Sequence, residues 1–190
     1  MSDPQSALGG AKFDGFASLR DGGLRGMITL RGDLGDKGFQ NAVAQLSDLG
    51  MPERGGIVLS GDTGVAWMSP DEVLIMTPYQ DVASHIRVLD DALAGQHYLA
   101  TNVSDARAVL VLSGAGSREV LGKLTPADLS PDVMRPGIMR RTRLAQIPAA
   151  FWMTNDTDFE LVCFRSVAQY AFALLSNAAV PGTEVGHYAR

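Results

Sequence analysis

Apolar positions along the chain change period several times, and each change marks an element. The short run Met27-Ile28-Thr29-Leu30 predicts a strand over 24–31. Phe39, Val43, Leu46 and Leu49 then recur at helical spacing and predict a helix over 37–49. Val82, Ile86, Leu89 and Leu93 do the same over 79–94. Between these helices, strands are expected at 56–60, 64–68 and 72–77, with Gly61-Asp62-Thr63 as a hairpin turn. Residues 98–103 supply one more short strand. A second series follows, with strands near 107–113, 138–146, 149–154 and 158–164 and helices near 116–123 and 167–179. Val167, Ala171, Leu174 and Ala178 form the apolar stripe of the last helix. Leu124 to Gly137 reads as a long Pro-containing loop.

The two series are related. Met27-Ile28-Thr29-Leu30-Arg31-Gly32 and Val109-Leu110-Val111-Leu112-Ser113-Gly114 both read as a strand ending in Gly before a helical pattern. Trp67-Met68-Ser69-Pro70-Asp71 and Trp152-Met153-Thr154-Asn155-Asp156 both end a strand in a turn. Thr77-Pro78-Tyr79-Gln80 and Ser166-Val167-Ala168-Gln169 both have the spacing of a capping box. Three landmarks in one order indicate an internal duplication. The expected architecture is therefore α+β, built from two related halves that each run strand, helix, three short strands, helix. The halves span 23–103 and 104–180. Residues 1–22, with Asp3-Pro4 and Gly9-Gly10, read as a flexible N-terminal arm, and 181–190 as a C-terminal tail.

Composition narrows the function classes. The chain has 190 residues, 46% of them hydrophobic and 19% charged, a balance suited to a packed core. A net charge of −5 and a pI near 5.1 argue against nucleic-acid or anionic-membrane binding, which need basic surfaces. No leader-like segment opens the chain, and no apolar run approaches a membrane span, so the expected location is cytoplasmic. The single cysteine, Cys163, can build neither an intramolecular disulfide nor a cysteine zinc site, and it reads as a buried thiol on a strand face. His85, His97 and His187 are scattered without partners at ligand spacing, so no metal site is expected.

Candidate chemistry is sparse, and no catalytic constellation is legible. Gly114-Ala115-Gly116-Ser117 follows a strand and opens a helix, yet it lacks the remaining signals of a phosphate loop and reads as a tight turn. Arg135, Arg140, Arg141 and Arg143 fall within nine positions. That local excess could receive a carboxylate, a phosphate or an acidic partner surface, or could simply flank a solvated strand. Ser104-Asp105-Ala106-Arg107 reads as an ion pair across a turn or a polar site at a strand start. Trp67 and Trp152 occupy matched places in the repeat and read as core aromatics.

Several of these segments resemble one family. Trp67-Met68-Ser69-Pro70-Asp71-Glu72 resembles the W-L-G-P-D-E signature of the sarcosine oxidase gamma subunit family. Asn102-Val103-Ser104-Asp105-Ala106-Arg107 is similar to its D-V-S-D-R-R segment, and Leu112-Ser113-Gly114 to its L-S-G. Pro136-Gly137 with Arg141-Thr142 is similar to G-x-x-x-R-T. Phe159-Glu160-Leu161-Val162-Cys163-Phe164-Arg165-Ser166-Val167-Ala168-Gln169-Tyr170 resembles F-x-L-x-V-x-R-S-F-A-x-Y. Asn102, Ala106 and Ser69 depart from the pattern, where the family has Asp, Arg and Gly.

The resemblance covers roughly residues 20 to 180. It implies two ferredoxin-like two-layer units resembling the aminomethyltransferase folate-binding domain. It also implies the gamma subunit of a heterotetrameric sarcosine oxidase, which oxidatively demethylates sarcosine to glycine with hydrogen peroxide and methylenetetrahydrofolate as products. In such a complex the gamma chain is mainly structural. FAD, FMN, NAD and tetrahydrofolate are expected in the alpha, beta and delta partners rather than in this chain. Trp67, Arg140, Arg141, Arg165 and Tyr170 are then the interface candidates. The competing reading is a stand-alone folate-binding one-carbon protein, in which Asp105, Arg107 or Glu160 would be the weak cofactor-binding candidates. Against it, full aminomethyltransferases are longer, and the K-G-C-Y-x-G-Q-E motif of related iron–sulfur repair proteins is missing. An unrelated α+β binding module is the third reading.

Overall fold

The computed structural model of the chain describes residues 3–47 and 49–188. Residue 48 of the expected first helix, residues 1–2 of the expected arm and residues 189–190 of the expected tail lie outside the described residues. In chain order the early strands are β1 (Lys12–Asp14), β2 (Ser18–Asp21), β3 (Gly26–Arg31), β4 (Ile57–Ser60), β5 (Thr63–Ser69), β6 (Glu72–Thr77) and β7 (Leu99–Asn102). The later ones are β8 (Arg107–Ser113), β9 (Met139–Leu144), β10 (Ile147–Met153) and β11 (Phe159–Phe164). The helices are α1 (Lys37–Ser47), α2 (Val82–Ala92), α3 (Ser117–Gly122) and α4 (Ala168–Ala178). Two compact units result, one of residues 25–105 and one of residues 1–24 with 106–190.

The unit of residues 25–105 is an antiparallel five-stranded sheet, in the order β4-β5-β6-β3-β7, with α1 and α2 against one face. Ile28, Leu30, Val65, Val73 and Ile75 pack there with Phe39 and Val43 of α1 and Val82 and Leu89 of α2. The carboxylate of Asp36 accepts the Phe39 amide at 2.9 Å and so caps α1. All six residues of β6 are buried, which is why that strand reads as a continuous apolar run rather than an alternating one. A two-residue loop joins β4 to β5, and Gly61, at φ 57°, meets its left-handed requirement without a Cβ penalty.

The second unit repeats this order, with β2 in the place of β7 and β1 added as a sixth strand outside it. Its sheet runs β1-β2-β8-β11-β10-β9, again antiparallel throughout, and α3 and α4 cover the core face. Where β7 flanks β3 in the first sheet, β2 flanks β8 in the second. The expected flexible arm is thus replaced over residues 12–21 by two paired strands. Their drive is burial: Leu19 is 1% and Ala17 3% exposed within the core of this unit. Four residues of alternation in Ser18-Leu19-Arg20-Asp21 are too few to register as a strand beside Asp-Pro and Gly-Gly punctuation. The β9–β10 hairpin closes through Ala145 at φ 50°, the only described non-glycine residue with positive φ, and its amide is held by the Leu124 carbonyl at 2.7 Å.

Two other expectations are corrected. Neither proposed capping box forms. Both α2 and α4 are entered through a three-residue 3-10 turn, Tyr79–Asp81 and Arg165–Val167, without a side-chain cap bond. The Thr77 hydroxyl is instead engaged by His85 Nδ1 at 3.0 Å. The buried stripe of α4 is Ala168, Ala171, Leu175 and Ala178, which differs from the expected stripe at two of four places: Val167 belongs to the 3-10 turn before the helix, and Leu175 rather than Leu174 is buried. The segment read as a C-terminal tail is tied to α3. Lys123 Nζ donates to the Ala178 and Thr183 carbonyls at 3.0 and 2.7 Å, and the Glu119 carboxylate accepts the amides of Val185 and Gly186.

Candidate functional site

The segment Asn102 to Arg107, read from the sequence as an ion pair across a turn or a polar site at a strand start, uses its Asn102 and Ser104 atoms to close a turn. Asn102 Oδ1 accepts from the Ser104 amide at 3.0 Å and from its hydroxyl at 2.7 Å. Ser104 Oγ in turn accepts the Met27 amide at 2.9 Å and is buried. An aspartate would accept the same two bonds as Asn102, so the departure from the family residue leaves the turn intact. The exposed Asp105 carboxylate takes the Tyr79 hydroxyl, at 3.0 and 3.1 Å to its two oxygens.

Arg107 opens β8 and stacks over the Phe164 ring at 4.3 Å, its partner in the β8–β11 register. Glu160 lies on the same strand face, opposite Val111, four register positions from Arg107. At roughly 3.3 Å per residue this separates the two by about 13 Å along the sheet. Arg107 and Glu160 thus stand on one face of the sheet, spaced along it.

The interface candidates are spread along surfaces. Trp67 is half-buried, with the Arg54 guanidinium 5.9 Å from its ring centre. Strand β9 is the edge of its sheet, and Arg141 and Arg143 are exposed on it at alternate positions while Arg140 is half-buried on the opposite face. Arg165 donates from Nη2 to the Gln5 carbonyl at 2.7 Å, and Tyr170 is 43% exposed on α4.

Two sites the sequence raised are internal. The Gly114 amide donates to Asp158 Oδ1 at 3.0 Å, so the turn before α3 is occupied by the chain's own carboxylate. Burial pushes the Asp158 carboxyl up, but hydrogen bonds from Gly114, Asn155, Thr157 and Ser113 outweigh it and hold the group below the usual carboxylate range. Cys163 is buried, and that burial pushes its thiol up to about 11 against a smaller opposing pull from Arg107. It is not a nucleophile at neutral pH. The folded thiol keeps its proton through a window where the unfolded thiol, near its ordinary 9.0, has lost it, so stability falls as pH rises between these values. Cys163→Ala is expected to remove this component, shifting the difference from wild type by about 2 kcal/mol between pH 9 and 11. Urea unfolding at both pH values checks it, and an unchanged difference would refute it.

Sequence reading missed one cleft. It has a volume of about 550 Å³ and is lined by Arg31, Gly32, Asp33, Asp71, His97, Tyr98 and Leu99. Arg31 Nε and Nη2 donate to Glu72 Oε2 at 3.0 and 2.6 Å, which raises the guanidinium further. The signal available was the facing of Arg31 and Glu72 at the ends of β3 and β6, visible only once that register is known. Among the described residues no group of three or more His, Cys, Asp and Glu is placed to hold a metal, and no helix is long and apolar enough to cross a membrane.

Comparison with known proteins converges with these observations. Residues 31–181 match the sarcosine oxidase, gamma subunit family. The sarcosine oxidase subunit gamma of Corynebacterium sp. (strain P-1) is 30% identical over 166 residues, covering 86% of this chain and 80% of that one. A chain of heterotetrameric sarcosine oxidase from Corynebacterium sp. U-96, solved with pyrrole 2-carboxylate, superposes with a TM-score of 0.79 at 27% identity. That match spans 88% of this chain and 87% of the other. Aminomethyltransferase T of the glycine cleavage system from Bartonella henselae shares the fold, with a TM-score of 0.56 at 16% identity over 83% of this chain and 44% of its own.

Proposed function

Because the chain belongs to the sarcosine oxidase gamma subunit family, we propose that it acts as the structural gamma subunit of a heterotetrameric sarcosine oxidase. The reaction of that complex is the oxidative demethylation of sarcosine to glycine, with hydrogen peroxide and methylenetetrahydrofolate as products. One observation carries the reading: the likeness to a chain of such a heterotetramer extends over nearly the full length of both chains. The alpha, beta and delta subunits are the partners, they hold FAD, FMN, NAD and tetrahydrofolate, and the complex is cytoplasmic.

What this chain contributes is surface and rigidity. Several of its polar side chains are committed to internal bonds, with Asp105 holding Tyr79, Asp158 holding Gly114 and Asn102 holding Ser104. A subunit of this kind stabilises its complex by mass action, binding only the folded partners. Trp67, Arg140, Arg141, Arg165 and Tyr170 supply the aromatic and arginine side chains that dominate such interfaces.

The test is co-expression of the tagged chain with the three partner subunits, followed by affinity purification and gel filtration. The expected result is a yellow complex of four chains that releases peroxide when sarcosine is added. A colourless tagged chain eluting alone would overturn the proposal.

A further inference from the structure

The cleft of about 550 Å³ lies at one end of the five-stranded sheet, where β3 stops and β6 and β7 start. Its lining comes wholly from the unit of residues 25–105. Arg31, the last residue of β3, stands in register between Glu72 on one side and Leu99 on the other. Asp33 follows β3, Asp71 precedes β6, and His97 and Tyr98 precede β7, so three separate connections converge on one space. The volume falls within the range of small-molecule sites.

Arg31 is anchored in the wall of this cleft. Glu72 is 5% exposed, and a carboxylate so withdrawn from water is costly unless it is paired. Arg31 pairs it through one edge of the guanidinium, with Nε and Nη2 both donating to Oε2. The arginine fork has a second edge, through Nη1. Among the described residues Nη1 has no hydrogen-bond partner, and the side chain is 48% exposed. Anchoring by the buried carboxylate restricts the rotamer, so the outer edge meets a ligand with little further loss of entropy. A carboxylate is the planar anion that such an edge receives in two parallel bonds.

A simple anion is nonetheless a poor occupant. Glu72 already neutralises Arg31, and Asp33 and Asp71 add two exposed carboxylates to the lining. The Gly32 amide donates to the Asp71 carbonyl at 3.0 Å, which sets positions 33 and 71 beside the guanidinium. Glu72 and, after it, Asp71 both raise the Arg31 guanidinium further, so it stays charged. A simple cation meets the opposite difficulty, because Arg31 repels it. A ligand with an ammonium and a carboxylate on one carbon satisfies both signs at once. Tyr98 is half-buried, with its hydroxyl donating to Asp90 at 2.7 Å, and Leu99 is 55% exposed. Together they offer apolar surface that a ligand side chain can cover.

We infer that this cleft binds a free α-amino acid with an apolar side chain. Its carboxylate meets the outer edge of Arg31, its ammonium meets Asp33 and Asp71, and its side chain lies along Tyr98 and Leu99. The site is independent of the reading of the chain as a subunit of an assembled oxidase.

The probe is L-leucine, titrated into the full chain while backbone amides are followed by NMR. The expected result is saturable shifts at Gly32, Asp33, Tyr98 and Leu99, with a dissociation constant of about 1 mM or tighter, the scale open to a ligand of so few atoms. Isocaproate lacks the ammonium and isoamylamine lacks the carboxylate, and each is expected to bind at least roughly tenfold more weakly. Equal binding of either analogue overturns the inference. So does a lack of saturation by about 20 mM leucine, or shifts confined to other parts of the chain.

Two variants test the assigned contacts. Arg31→Lys keeps a cation for Glu72 but has no second edge. Asp33→Asn with Asp71→Asn removes the partners of the ammonium, and asparagine keeps the acceptor that the Gly35 amide uses at position 33. Each is expected to weaken leucine about tenfold, once circular dichroism shows a wild-type fold. Wild-type affinity in either folded variant overturns the inference and leaves the gamma-subunit proposal standing. The analogue series uses only the unaltered chain, so its outcome decides the matter even if a variant fails to fold.

Discussion

Replacing Asp21 with Ala is expected to destabilise the unit of residues 1–24 and 106–190 by about 3 kcal/mol, the cost of removing a buried charged acceptor and leaving its donors unpaired. Asp21 is 8% exposed at the end of β2. Its Oδ2 accepts the Ser6 hydroxyl and the Gly10 amide, the latter at 2.9 Å, and its Oδ1 accepts the Gly23 amide at 3.1 Å. One side chain thus gathers the turn before β1 and the turn after β2. Without it, β1 is left with its three-residue pairing with β2 and the packing of Phe13 against the core, and the two turns that flank the β1–β2 pair lose their common acceptor. Asp21→Asn keeps the shape and one acceptor oxygen, so about half the loss is expected. Urea unfolding measures both variants, and limited proteolysis should cut the Ala variant first within residues 3–14. A cost below about 1 kcal/mol with unchanged proteolysis would show that the sheet alone holds the segment.

Arg118→Met is the second large effect, at about 2–3 kcal/mol for two orphaned carbonyls and a lost ring contact. Arg118 Nη1 donates to the carbonyls of Leu129 and Met134, the second at 3.0 Å, and the guanidinium stands 5.8 Å from the centre of the Phe159 ring. Burial lowers its pKa from the usual arginine value, with the Tyr188 hydroxyl opposing that pull. These bonds shape the connection between α3 and β9, which inserts Leu129 and Met134 into the core at 0% exposure. Methionine fills similar volume but donates nothing, so both carbonyls lose their partner. Lysine at this position can reach one carbonyl and is expected to recover part of the loss. Hydrogen exchange of the amides around 129–138 should accelerate in Arg118→Met well before global unfolding. Unchanged exchange there would mean that the connection holds its shape without the arginine.

These two residues show where reading from sequence stopped. Arg118 and Leu129 are far from helix or strand periodicity with one another, and nothing in their spacing announces that a cation will be used to tie a loop. Asp21 sits at the end of a strand too short to be seen as one. The Arg31–Glu72 pair and the cleft beside it depend on the β3–β6 register, which no local pattern specifies. By contrast, the strands with long apolar runs, such as 72–77 and 107–113, coincide with their expected ranges, because burial on both faces leaves an unbroken local signal.

Residue pattern alone determined the α+β class and the order of strands and helices from residue 24 onward, since each depends on short-range periodicity, and its contiguous motifs carried the resemblance to the family. Tertiary structure decided what those patterns cannot hold. It recruited the N-terminal segment into the second sheet, because the position beside β8 needed a strand and Leu19 could fill the core there. It spent Asp105 and Asp158 on internal bonds, because each faces a hydroxyl or backbone donor that only the folded chain brings close. The pairings of Asp105 with Tyr79 and of Asp158 with Gly114 join residues 26 and 44 positions apart, and their loop-closure entropy is offset by the core formed between them.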